Sequence, residues 1–139
     1  MTDAARQAKT ELNGIRYIDI EIDIMLREVE RLRALLDVAS TGLTAERVQS
    51  TRRGDIIPRT VAKIIDLEQQ INGYIDQLVD RKAQAEYKLA RVSDETQRNI
   101  IKLRYFEGKR WEDIAEEMDY SLPWVYRLHD RALKEYSKV

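Results

Sequence analysis

The sequence predicts an all-α protein, with a long N-terminal, coiled-coil-like helical hairpin followed by a C-terminal helix-turn-helix. Three observations carry that expectation. Charged residues make up 35% of the 139 positions and apolar residues 43%, against only five glycines and two prolines. So many charges among so few turn formers suit long, solvated helices rather than sheets. Apolar residues also recur at steps of three and four over two long stretches. Finally, "WEDIAEEMDYSLPWVYRLHDRALKEY", residues 111–136, shows helical period on both sides of a turn signal.

The first helix is read from Ile15, Ile18, Ile22, Met25, Val29, Leu32, Leu36 and Ala39, an unbroken heptad seam. Within it "IDIEIDI", Ile18 to Ile24, alternates strictly and by itself reads as a half-buried strand. Helix is preferred, because no turn former interrupts from Arg16 to Ser40 and the heptad continues on both sides. Two residues turn a helix by about 200°, so Ile20 and Ile24 lie nearly opposite Ile18 and Ile22. A helix apolar on both sides is sandwiched between partners. The seam from Ile15 to Leu32 is therefore assigned to self-association, as a dimer or tetramer.

Residues 40–58 lack an apolar period and contain Gly42, Gly54 and Pro58, so they read as a long loop. Pro58 suits the first turn of the next helix, where its missing N–H costs little. Val61, Ile64, Leu67, Ile71, Ile75, Leu78 and Val79 mark that helix, running to about Arg91. Joined by one loop, the two helices most simply form an antiparallel hairpin. "RVSDETQ" then marks a boundary, giving residues 1–92 to the hairpin and 93–139 to the tail. Ser93 is the expected N-cap, with Asp94 and Glu95 facing the positive end of a helix over Glu95–Glu107. That helix carries Ile100, Leu103 and Phe106, and Gly108 closes it in a left-handed conformation.

A helix-turn-helix needs apolar residues where its helices meet and a small residue where their backbones approach. Ile114, Met118, Tyr120, Val125 and Leu128 fill the apolar positions, and Ala115 the small one. Asp119 takes the turn position usually held by glycine, a geometry that Asp tolerates. Ser121 caps the last helix and Pro123 lies in its first turn. With Val125, Leu128, Ala132 and Leu133 in the core, the outer face holds Leu122, Pro123, Tyr126, Arg127, Asp130 and Arg131. In this architecture the second helix enters the major groove. Arg127 is the candidate reader of a guanine, whose O6 and N7 its fork can bond together. Leu122 is the candidate contact to a thymine methyl group. Arg110, Arg131 and Lys134 are candidate phosphate contacts, which set register without reading sequence. Trp124 serves either as a core anchor or as a groove-facing wedge. His129 reads as a packed residue rather than a proton carrier, and Trp111 as core.

Charge supports a sequence reader over a nonspecific coat. The net charge is −1, yet residues 40–63 carry five Lys/Arg against two Asp/Glu, and residues 121–139 carry four against two. In the first of these stretches Arg52 and Arg53 are candidate contacts to the DNA backbone. With no cysteine and one histidine there is neither a disulfide nor a thiolate or histidine zinc site. No glycine-rich phosphate loop and no nucleophile beside a base appear, so no enzyme, cofactor, metal or small-molecule substrate is expected. No apolar run approaches the ~20 residues that cross a bilayer, and "MTDAARQ" lacks signal-peptide character. A cytoplasmic protein without membrane contact is expected.

"RNIIKLRYFEGKRWEDIAEEMDYSLPWVYRLHDRALKEY" resembles the C-terminal helix-turn-helix of bacterial sigma factors, region 4, through "LRYFEG", "WEDIAEEM" and "VYRLHDRAL". With "RLRALLDVAS", "ERVQS" and "VAKIIDLEQQIN", nearly the whole chain resembles small phage and prophage regulators. These are similar to late-gene activators of the ArpU and RinA kind. The resemblance implies a transcription regulator on double-stranded DNA in a bacterial host, with host RNA polymerase as a further partner. The pattern favours Thr where Arg110 and Trp124 stand, so here a helix cap and a small polar contact are lost. Two other readings stand beside it. A small-terminase-like packaging component usually carries its DNA-binding part first, whereas here it is last. A protein-interaction module would use the acidic face Glu112, Asp113, Glu116 and Glu117 without touching DNA.

Overall fold

The computed structural model describes the backbone of residues 2–40 and 50–139, and the side chains of 2–40 and 54–139. Among these residues the chain is helical and contains no strand. Helix α1 spans Asp3–Ser40 and α2 Ser50–Leu89. Helix α3, Glu95–Ile101, continues into a π-helical turn, Lys102–Phe106. Helices α4, Trp111–Met118, and α5, Leu122–Ser137, complete the chain. "IDIEIDI" is helical throughout, with Ile18 and Ile22 buried and Ile20 and Ile24 exposed, as 3.6-residue periodicity requires.

The expected loop 40–58 is corrected in its second half. Residues 41–49 lie outside the described residues, but α2 begins at Ser50 and Pro58 sits in its interior. A proline there removes one backbone bond and crowds the carbonyl of Gly54. The segment stays helical because it has local and tertiary support. Thr60 Oγ1 donates to the Ile56 carbonyl at 2.8 Å, Arg59 pairs with Asp55 at 3.4 Å, and Ile56, Thr60 and Lys63 line one cleft with Leu32 of α1. Arg52 and Arg53 fall within α2, and their side chains lie outside the described residues.

Packing divides the chain into two units, one formed by Met1–Asp19 with Gln77–Val139 and the other by Ile20–Asp76. In the second, Ile22, Met25, Val29 and Leu32 of α1 are buried, as are Ile64 and Ile71 of α2, and Arg33 pairs with Glu68. Ile15 and Ile18 are buried too, so all six residues assigned to self-association lie inside the chain's own packing. The physical reason is that α2 supplies the partner helix that the seam of α1 requires.

In the first unit one core joins the hairpin to the tail. Ala5, Ala8, Leu12 and Ile15 of α1 meet Ala85 and Leu89 of α2, Ile101 and Tyr105, and Ala132, Leu133 and Tyr136 of α5. Small residues on α1 let its backbone approach the tail closely. Glu11 anchors the polar edge of this core, accepting from Lys88 Nζ at 3.0 Å and from the Tyr136 hydroxyl at 3.3 Å. After α2, the Arg98 guanidinium donates to the carbonyls of Val92 and Ser93 at 2.6 and 2.9 Å, which holds the connection. The helix start is capped by Asp94, whose carboxylate accepts from the Gln97 N–H, rather than by Ser93.

Candidate nucleic-acid interface

The helix-turn-helix is built from local signals that the structure honours. Asp119 adopts φ 57° and ψ 46°. The N–H groups of Asp119 and Tyr120 donate to the carbonyls of Glu116 and Ala115, closing α4 in a Schellman motif. Ser121 Oγ accepts from the Trp124 N–H at 3.3 Å, and Pro123 occupies the first turn of α5. Ile114, Ala115 and Val125 form the buried contact between the two helices, flanked by Leu103, Trp111, Met118 and Leu122. Tyr120, expected in this contact, is instead 39% exposed, because the left-handed turn at Asp119 directs the chain outward.

Behind the motif lies an aromatic cluster that the helical spacing did not indicate. The expected row Ile100, Leu103 and Phe106 is replaced by Ile100, Ile101 and Tyr105 as the buried set, with Leu103 and Phe106 half-buried. The i, i+4 step from Ile101 brings Tyr105 onto the core side. Its hydroxyl lies 2.7 Å from His129 Nε2. The His129 ring meets Trp111 edge-on at 4.5 Å, and Trp111 meets Tyr126 edge-on at 5.6 Å. Burial, then the nearby charges of Lys9 and Arg104, lower the His129 pKa to about 4. Burial also raises that of Tyr105 to about 12. At neutral pH the pair is therefore an uncharged hydrogen bond, and His129 is the packed residue expected.

Residues 94–135 match the family described as Sigma-70, region 4. The C-terminal tail is a sigma-70 region 4-like helix-turn-helix. No curated protein and no solved structure matches the chain.

On the region 4-like tail, α5 divides as expected into a buried side and an outer side. Val125, Leu128, His129, Ala132, Leu133 and Tyr136 are buried. Pro123, Tyr126, Arg127, Asp130, Arg131 and Lys134 are exposed. Arg127 forms no ion pair among the described residues, so its fork is available. Arg131 lies over the Trp124 ring at 5.4 Å, and half-buried Trp124 is held on the α5 surface by that contact. Arg131 and Lys134 also line a cleft of about 310 Å³ with Gln97 and Lys138. Two candidates are less available than their position suggests. Leu122 is half-buried against Ile114 and Val125. Arg110 has no capping bond to α4 and instead pairs with Asp113 at 3.0 and 3.3 Å. Among the described residues no group of acidic, histidine or cysteine side chains could hold a metal, and no helix is long and apolar enough to cross a membrane.

Proposed function

We propose that this chain is a sequence-specific regulator of transcription that binds duplex DNA by inserting α5 into the major groove. The observation that carries the reading is the outer face of α5. Arg127, Arg131 and Lys134 project from a helix whose opposite side is locked into the core, and none of the three is ion-paired among the described residues. A rigid helix presenting unpaired cations is what base and phosphate contacts require. In this reading Arg127 reads a guanine, while Arg131 and Lys134 hold the backbone. Residues 93–139 recognise DNA and residues 1–92 bring copies together, which raises the effective concentration of the second contact.

The regulator acts in this proposal as a phage late-gene activator that also touches host RNA polymerase. A protein-only role for the acidic face of α4 is less well supported. Asp113 is engaged by Arg110 and Glu117 by Lys109, so among the described residues only Glu112 and Glu116 of the four carboxylates remain without an ion pair. Self-association uses another face than the heptad seam. Ile20, Ile24 and Leu35 lie exposed on the side of α1 opposite its buried residues, and they continue a helical stripe through Arg27 and Arg31. A second copy of the chain is the occupant proposed for that stripe. On α2, Val61, Ile65 and Ile75 are exposed along a second apolar stripe, which the α1 stripe of another copy can cover.

Selection of bound duplexes from a random library at about 150 mM salt tests the reading, with Arg127→Ala in parallel. The expected result is an enriched motif with spaced half-sites, relaxed at one base pair in the variant by about 1–3 kcal/mol. Failure of the folded protein to enrich any sequence would sink it.

A further inference from the structure

The first helix brings cations to the tail that no feature of the helix-turn-helix predicts. Arg16 of α1 lies within electrostatic reach of Arg104, in the π-helical turn, and its Nε is buried without a hydrogen-bond partner. Arg104 is held in place from two sides. Its Nη1 donates to the Lys109 carbonyl at 2.9 Å, and its guanidinium stacks 4.5 Å from the centre of the Trp111 ring. Trp111 in turn touches Tyr126, which is exposed on the outer face of α5. A continuous run of contacts therefore leads from Arg104 to the recognition helix, with Arg16 beside its origin.

Neither Arg16 nor Arg104 forms an ion pair among the described residues, whereas Arg6, Arg31, Arg33, Arg59 and Arg110 each pair with a carboxylate. The nearest acidic influences are Glu112, acting on Arg104, and Asp130, acting on Tyr105. Burial, then the charge of Arg16, holds the Arg104 pKa below its usual value. Two like charges left together without a counter-ion cost stability, and an anion seated between them relieves both.

We propose that Arg16 and Arg104 together grip a phosphate of the DNA backbone, so that α1 of the hairpin forms part of the duplex-binding surface. This deepens the DNA-binding reading and rests on it. Arg104 is prealigned by its stack on Trp111, and Arg16 closes the site from α1. The contact carries no sequence information and sets the register in which Arg127 meets its base.

The test uses the full chain on a selected duplex and on an unrelated one, titrated across roughly 50–200 mM salt. Arg16→Gln is expected to weaken binding to both duplexes by a similar factor, roughly three- to tenfold. It should also flatten the slope of log affinity against log salt by about 0.9. Arg16→Lys is expected to restore most of the slope, and Arg91→Gln, which removes the same charge from the end of the hairpin, to change neither quantity. Because the chain has no cysteine, Arg16→Cys carrying a tethered iron–EDTA group provides an independent reading. Cleavage of the duplex near one edge of the half-site is expected. Wild-type binding with an unchanged slope in Arg16→Gln and no cleavage from position 16 would overturn the inference while leaving the DNA-binding reading intact. Absence of binding by the wild type would overturn both.

Discussion

At the scale of single residues, the tail depends on two groups in unusual states. Asp119 holds a left-handed conformation that glycine adopts without a Cβ penalty, and its negative charge sits at the C-terminal end of α4, where the helix dipole disfavours it. Asp119→Gly is expected to stabilise the protein by about 0.5–1 kcal/mol, read as a shift in denaturant midpoint at constant slope. A destabilisation would mean that the carboxylate makes a contact more valuable than the relief of strain. His129 is neutral because it is buried, and its folded pKa lies below its ordinary value of 6.5, at about 4. The unfolded chain therefore binds the proton more readily, and folding is favoured fully above about pH 6.5. That stability is lost as pH falls toward 4, by about 3 kcal/mol. Thermal melts from pH 7 to pH 4 should show this loss, and His129→Gln should flatten the curve across that window. An equally steep curve in the variant would place the titration elsewhere.

The elements show where local chemistry sufficed and where it was overruled. The left-handed turn at Asp119, the cap at Ser121 and Pro123 in the first turn of α5 stand where local chemistry places them. Pro58 does not, since it lies inside α2 instead of at its start. Pro58→Ala restores a donor to the Gly54 carbonyl and removes the ring clash. It should then stabilise the chain by roughly 1–3 kcal/mol and increase helicity. No gain, or a loss, would argue that the helix starts at the proline. The π-helical turn is a second local departure. Its residues read locally as a row through Leu103 and Phe106, whereas the folded chain buries Tyr105 against His129, which lies 24 positions away.

For the molecule as a whole, the region 4-like tail is one face of a larger core rather than an appendage. Ala132, Leu133 and Tyr136 of α5 are covered by Ala5, Ala8 and Leu12 of α1 and by Ala85 and Leu89 of α2. A fragment comprising residues 93–139 would expose that surface and lose the Glu11 partner of Tyr136. It is expected to lack a cooperative thermal transition, whereas the full chain melts cooperatively; a sharply melting fragment would refute this dependence. Assembly is tested on the outer face of α1. Ile24→Glu should shift sedimentation toward the monomer without lowering the melting temperature of the monomer, because Ile24 is 46% exposed. A mass unchanged by this substitution would move the self-association surface elsewhere.

Much of this fold was legible from residue order, for a definite reason. Helical period, caps, left-handed turns and the two sides of α5 depend on neighbours within a few positions, and those neighbours are written in the sequence. The buried seam of α1 was legible as a seam, but its partner was not, since heptad spacing is the same whether the opposing helix belongs to the same chain or to another. Tertiary structure decided that α2 fills it. It also decided that the first turns of α1 cover the tail and that Arg16 comes within electrostatic reach of Arg104, 88 residues further on. Such proximity is a product of how helices pack, and no local spacing encodes it.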